Sequence, residues 1–428
     1  MTGTARLDRP NAPGDVLEHV TAGADLIVPL FNGEPHTVMD ALEAGAAELT
    51  GVRVHQMDPV RERPYIRGEF PGRLEHVSYF LGPGDRRAYW NGTCELVPAH
   101  FSEVPLLLRQ TTRRDLVLAA ASPPDRHGYF SLGTNADYAA SFIGETPFFL
   151  EVNARMPRTS GQNQLHISQI AGWCEADYPL AETVPPEPDE RDARIAEYVA
   201  ERVPDGACLQ IGVGRIPNAL LASLRGHRHL GVHTEAMSDG LMDLVECGAL
   251  TGARKHQQRN KHVATFCVGS RRFFDWLDDN RSVALLPVEW VNNPRVIARE
   301  PRMVSINATS EVDLRGQAAS ETIAGRYWSG SGGQADFARG AMYSAGGRAF
   351  LVTHATTHDG TSRITVDLSP GSPVTTLKNT VDHVVTEYGV AELRGRSLSR
   401  RAEALIAIAH PDHRDRLRHG ARRAGLLH

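Results

Sequence analysis

Lysine is almost missing from this 428-residue chain. Lys255, Lys261 and Lys378 are the only three, so arginine supplies nearly all of the 46 basic side chains. None of the three follows a glycine, which excludes a GxxxxGK[ST] phosphate loop, and a lysine Schiff base has few places to form. Cysteine is scarce as well. Cys94, Cys174, Cys208, Cys247 and Cys267 are scattered, odd in number and never paired as CxxC. That excludes a disulfide framework and fits a reducing compartment. No apolar run approaches the ~20 residues that cross a bilayer. The opening MTGTARLDRPNAPGD lacks the charged-then-apolar layout of a signal peptide. The expected location is the cytoplasm, with no membrane partner. Positive charge is in no surplus either: 46 Lys+Arg face 51 Asp+Glu, a formal charge of −5. A dedicated nucleic-acid binder would show the opposite balance.

The usual catalytic signatures are also lacking. There is no HExxH and no GxSxG elbow, which argues against a zinc peptidase and an ordinary serine hydrolase. His410 and His413 fall at an expected helix break, and His256 and His262 flank arginine and lysine as a solvated basic stretch. No metal site is expected.

What is present describes an ordinary globular protein, with 41% hydrophobic and 23% charged residues. The length predicts more than one domain. Strand-like runs such as ADLIVPLF (from Ala24) and DLVLAAAS alternate with helical patterns such as HTVMDALEAGAAEL. That alternation implies βα units and a mostly parallel sheet. The proline-rich charged stretch from Ala181 to Arg194 reads as an interdomain linker, dividing the chain into α/β domains at 1–186 and 187–428. In the second half ACLQIGVG runs into a glycine turn, with Pro217 where a first helical residue belongs. HVATFCVG, VALLPVEWV, MVSINATSEVD, RAFLVTHAT and DHVVTEYGV read as further strands, and the C-terminal portion as helix broken at Pro411.

Three features could carry chemistry. Gly212-Val213-Gly214-Arg215-Ile216-Pro217 follows a strand and opens a helix, where backbone N–H groups can hold a phosphate or an oxyanion. With Pro217 in the third glycine position it is no dinucleotide fingerprint, and taken alone a plain strand–helix turn accounts for it better. Ser329-Gly330-Ser331-Gly332-Gly333 would let backbone approach a ligand, or would serve as a surface loop; Tyr327, Trp328 and Phe337 favour an ordered one. Glu235, in GVHTEAMSDG, stands directly after a short apolar strand, where α/β sheets build their sites. A carboxylate there could attack an activated acyl group, or could simply be solvated. Asp239 and Glu246 rank below it.

Taken together, GVGRIPNALLASL, LGVHTEAMSDGLMDLVECG, SGSGGQADFARGA and VVTEYGVAELRGRSLSRRAEALIAIAHPDHR resemble the acetyl-CoA hydrolase/transferase family. The likeness continues upstream through HFSEVPLLL, SPPDRHGYFSLGTNADYA and EVNARMPRTSG. It covers the chain from about Leu26 to Arg414. It implies two open α/β domains with mostly parallel sheets and the active site between them, in a cytoplasmic homo-oligomer, a dimer. The resemblance makes Glu235 the catalytic nucleophile. It implies oxyanion donors at Ile216 and Gly333, and CoA contacts at Gly212, Val213, Gly214, Arg215, Ile216, Asn292, Ser310, Ser329 and Gly333. Ser310 stands where relatives carry an apolar residue.

The implied reaction moves CoA between a short-chain acyl-CoA and a carboxylic acid. Glu235 would pass through an acyl–glutamyl anhydride and a glutamyl–CoA thioester, with ping-pong kinetics. No metal and no permanently bound cofactor is implied; CoA is substrate and product. A thioester hydrolase using the same glutamate is the alternative, and a catalytically retired CoA- or acyl-binding protein is another. Ala236-Met237, Ser331, Gln162 and Ala324–Trp328 depart from the family pattern around the expected acyl pocket and leave the acid open.

Overall fold

The computed structural model describes residues 9–184 and 186–428. The chain folds into two compact units, one of residues up to 183 together with 263–291, the other of 184–262 with 292–428. The first boundary lies close to the sequence-based division at 186/187. The second half, however, is not one continuous domain as that division expected. Residues 263–291 are drawn into the first unit by backbone pairing. Ala136 N–H donates to Thr265 O and Cys267 N–H to Thr134 O, both at 2.8 Å, and Leu285 exchanges bonds with Ser160 and Gln162. The expected linker is also shorter than its composition suggests. Asp189 accepts from the N–H groups of Arg191 and Asp192, capping a helix over Glu190–Ala200. The acidic end of that run is thus a helix start.

The first unit is built on seven strands, all parallel. In spatial order they are Cys94–Leu96, Leu74–Ser78, Val52–His55, Asp25–Ile27, Leu116–Ala121, Phe148–Asn153 and Ile170–Ala176. Leu116–Ala121 (LVLAAA) and Phe148–Asn153 are buried at every position. Burial along the whole strand, with LVLAAA apolar throughout, is what a parallel sheet covered on both faces requires.

The second unit carries a six-stranded sheet in the order Gly231–Val232, Cys208–Ile211, Met303–Ala308, Arg348–Val352, His383–Thr386 and Gly389–Glu392. The first five strands run parallel; only the terminal hairpin is antiparallel. Leu351, Val384, Leu405, Ile406 and Leu417 belong to one buried cluster against which the C-terminal helices Leu398–Ala407 and Pro411–Arg423 pack. Pro411, expected as a break, opens the second of these helices, where its missing N–H leaves no bond unmade.

Two local expectations are corrected. Pro217 is the third residue of the helix Arg215–Ser223, not its first; an N–H at that depth has no intrahelical acceptor, so proline is equally tolerated. The stretch 255–262 is not simply solvated. His256 is exposed, but Lys255 and His262 are each only 3% exposed. Burial, reinforced by the charges of Lys255 and Lys261, pushes the His262 imidazole down to about 4.

Candidate active site

The site residues of the second unit gather at the carboxyl ends of its parallel strands. Cys208–Ile211 is buried throughout and leads into Gly212-Val213-Gly214. Gly214 has φ +143° and ψ −175°, a conformation closed to side-chain-bearing residues, so the turn demands glycine there. Gly212 is different: a Cβ at that position would meet nothing within 4 Å. Ile216, 9% exposed, anchors the first helical turn with its side chain. Its N–H is one of the four at a helix start with no intrahelical acceptor. Val213 and Arg215 point outward.

Glu235 reaches the same edge from the neighbouring strand. Gly231–Val232 pairs in parallel with Cys208–Leu209. Beyond the strand, His233 N–H donates to Leu209 O at 3.0 Å. The Thr234 hydroxyl then accepts from Ile211 N–H at 3.3 Å and donates to Ile211 O at 3.2 Å. Thr234 therefore ties the segment bearing Glu235 to the residue just before Gly212. The sequence reading did not single out this threonine, though it stands inside HTE.

The Glu235 carboxyl is held from two directions. Asn292 Nδ2 donates to Oε2 at 2.6 Å, and the Gly333 N–H also bonds the carboxylate. Gly333 caps the helix Gln334–Tyr343, so its N–H lies at the positive end of the helix dipole. The approach is so close that a Cβ at Gly333 would lie 2.0 Å from Oε2 and 2.3 Å from Asn292 Nδ2. Burial raises the Glu235 pKa to about 7, while the bonds from Asn292 and Gly333 oppose the rise. Asn292 is fully buried, and its Oδ1 has no partner.

The other sequence candidates fall elsewhere. Ser310 Oγ donates to the carbonyls of Ala319 (2.7 Å) and Thr322 (2.9 Å), and Arg363 Nη1 donates to Ser310 O. Its hydroxyl braces a loop beside a cavity of about 490 Å³ that Thr322, Thr357 and Arg363 also line. Ser329 sits at the entrance to the glycine loop, its N–H donating to Glu321 O and its hydroxyl to Ser320 O. Asp239 and Glu246 mark the two ends of one helix. Ligand-type side chains cluster closely at His76, Asp85 and Cys94 and at Asp189, Asp192 and His354, and neither group includes a site residue. Among the described residues no helix is long and apolar enough to cross a membrane.

Comparison with known proteins bears on this geometry. Residues 11–192 match the acetyl-CoA hydrolase/transferase N-terminal domain and residues 269–421 the corresponding C-terminal domain. The succinyl-CoA:cyclohexane-1-carboxylate CoA transferase of Geobacter metallireducens is 41% identical over 97% of this chain and 95% of its own. The 4-hydroxybutyrate coenzyme A transferase of Clostridium kluyveri is 40% identical over 90% of each. The crystal structure of RipA from Yersinia pestis superimposes with a TM-score of 0.93 at 34% identity, covering 98% of both chains. A half-buried carboxyl on an α/β sheet edge, two matching domain families and relatives aligned over nearly their full length agree: the chain is an enzyme of the acetyl-CoA hydrolase/transferase family.

Proposed function

We propose that this enzyme transfers CoA between an acyl-CoA and a carboxylic acid, with Glu235 as the covalent nucleophile. The observation that carries the reading is the Glu235 carboxyl itself, raised to about 7 and bonded at Oε2 by Asn292. A partly desolvated carboxylate of raised basicity is a better nucleophile than a solvated one. With Oε2 bonded by Asn292 and lying against Gly333, Oε1 is the oxygen left to attack.

Attack of Oε1 on the thioester carbonyl forms an acyl–glutamyl anhydride and expels CoA as thiolate. The thiolate then attacks Glu235 Cδ. In that step negative charge gathers on Oε2, where the Asn292 amide and the Gly333 N–H already point. Two such preorganised donors are each worth about 3–4 kcal/mol of barrier. The donor acid leaves as its carboxylate, carrying Oε1 away, and Glu235 remains as a CoA thioester. An acceptor carboxylate reverses the sequence and restores the glutamate with one of its own oxygens. The Ile216 N–H, unspent within its helix, serves the other oxyanion, on the substrate acyl group. Gly212, with open space where a Cβ would stand, gives CoA room beside that N–H.

The test is the incubation of purified protein with an acyl-CoA, with and without a panel of carboxylic acids. New acyl-CoA should form only with an acceptor acid, in ping-pong fashion. A mass increment of CoA should appear on the peptide containing Glu235. CoA release that ignores added acid would replace transfer by hydrolysis, and a labelled residue other than Glu235 would remove it from the mechanism.

A further inference from the structure

Gly231–Val232 is the edge strand of its sheet. The N–H groups of Gly231 and His233 face inward, to the carbonyls of Ala207 and Leu209. In a parallel pair the alternate residues, Leu230 and Val232, turn their polar groups outward, where Leu250 bridges Leu230 and, among the described residues, no strand lies beside Val232. The Leu230 carbonyl is satisfied by the N–H groups of Thr251 and Gly252. The Val232 carbonyl is met instead by a side chain: Lys255 Nζ donates to it at 2.5 Å.

That lysine is unusual in its setting. Its side chain is fully buried, with Glu300, also fully buried, 3.9 Å from the ammonium group. The Glu300 carboxylate in turn accepts from the N–H groups of His256 and Gln257 at 2.8 and 3.0 Å. The lysine stem crosses directly over Gly231, where a Cβ would come within 2.6 Å of Lys255 Cγ. In a chain that otherwise relies on arginine, this position takes a slim stem ending in a compact charge, which a planar guanidinium cannot imitate.

We propose that Lys255 is a positioning residue for Glu235. Its ammonium group fixes the Val232 carbonyl at the sheet edge while Thr234 fixes the inner side, so the strand end delivers Glu235 to Asn292 and Gly333 in one orientation. The inference rests on the assignment of Glu235 as the nucleophile. Its consequence is that loosening Lys255 displaces the carboxyl without touching substrate. Misplacing a reacting group by about 1 Å can cost about 10²-fold in rate.

The experiment compares Lys255→Met, Glu300→Gln and the double variant with the parent protein. Met keeps the stem over Gly231 and removes only the ammonium group. Lys255→Met should lower kcat at least tenfold with KM for acyl-CoA within about twofold, and should lower the thermal midpoint, because Glu300 is left buried without its cation. The double variant removes that stranded charge and should recover the thermal midpoint but not kcat. A double variant that recovers both makes Lys255 a charge-balancing core residue and overturns the proposal, as does Lys255→Met with parental kcat. A second readout needs no substrate: the pH above which the stability gain from Glu235→Gln stops growing. This upper limit should fall from about 7 in the parent towards the ordinary 4.5 in the Lys255→Met background, as water reaches a loosened carboxyl. An unmoved limit refutes the positioning role even if the parent proves inactive as a transferase, an outcome that would count against the transfer reading alone.

Discussion

Replacing Glu235 by glutamine should stabilise the protein, by an amount that depends on pH. In the native state burial holds the Glu235 pKa near 7, against 4.5 for an ordinary glutamate. Between those values the native chain keeps a proton that the unfolded chain has lost. The native state then binds more protons, so its stability falls as pH rises. The penalty is absent below 4.5, grows through the interval and is complete above about 7. The interval is about 2.5 pH units, and at about 1.4 kcal/mol per unit it amounts to about 3 kcal/mol. Solvent reaching the half-buried carboxyl reduces this to about 2 kcal/mol. Glutamine has the same shape, and its carbonyl oxygen can still accept from Asn292 and Gly333, so the charge goes without opening a cavity. For a unit of roughly 200 residues, about 2 kcal/mol corresponds to about 4–8 °C in Tm. Thermal melts of both proteins from about pH 4 to about pH 8.5 should therefore coincide at the acid end and diverge by that amount at the alkaline end. A difference that is constant with pH, or largest in acid, refutes the assignment of a raised pKa to Glu235.

Three further outcomes follow from the same geometry. The kcat/KM for acyl-CoA should rise with pH to half its maximum near 7, because only the carboxylate attacks; a flat profile from about pH 5.5 to about pH 8 contradicts this. Asn292→Ala should lower kcat by about 10²–10³ and move the profile midpoint upward, since the lost bond favours the charged form; stopped-flow and steady-state assays across pH measure both. With 18O-labelled acceptor acid, mass spectrometry of the Glu235 peptide after many turnovers should find one labelled oxygen, because Oε2 stays held while Oε1 exchanges; equal filling of both positions contradicts a pinned Oε2.

Much of the fold was legible because its elements announce themselves locally. Buried parallel strands such as Leu116–Ala121 are uninterrupted apolar runs, whereas the Asp189 cap was hidden in a run that reads as linker and Pro411 reads as a break although it starts a helix. The membership of 263–291 was not legible, since it depends on backbone pairing between residues more than a hundred positions apart, as with Leu285 and Ser160. At the site, Glu235 and the two glycine loops stand in motifs long enough to recognise. Asn292 was expected against CoA, and its bond to Oε2 emerged only when a distant segment was brought beside Glu235. His262 was misread as solvated because arginine and lysine neighbours dominate the local composition, and Lys255 beside it is buried too, a carboxylate from Glu300 offsetting the cost. Ser310 aligned with a ligand contact, yet its hydroxyl is taken up by two carbonyls.

The excursion of residues 263–291 into the first unit limits how this protein can be divided. A fragment starting at 187 would carry Phe273, Phe274, Leu277 and Leu285, all buried in the intact chain, into a body that gives them no core to fill. It would also expose the backbone groups of Leu285 and Cys267 that pair with Ser160 and Thr134. Unpaired edges and apolar side chains of this kind promote aggregation. Joining residues on either side of the excursion, or supplying it from a co-expressed first unit, is therefore the rational route to an autonomous Glu235-bearing half. By the same token, a single proteolytic nick near residue 186 should not release two free halves, because the pairing of 263–291 with the first unit keeps the fragments together.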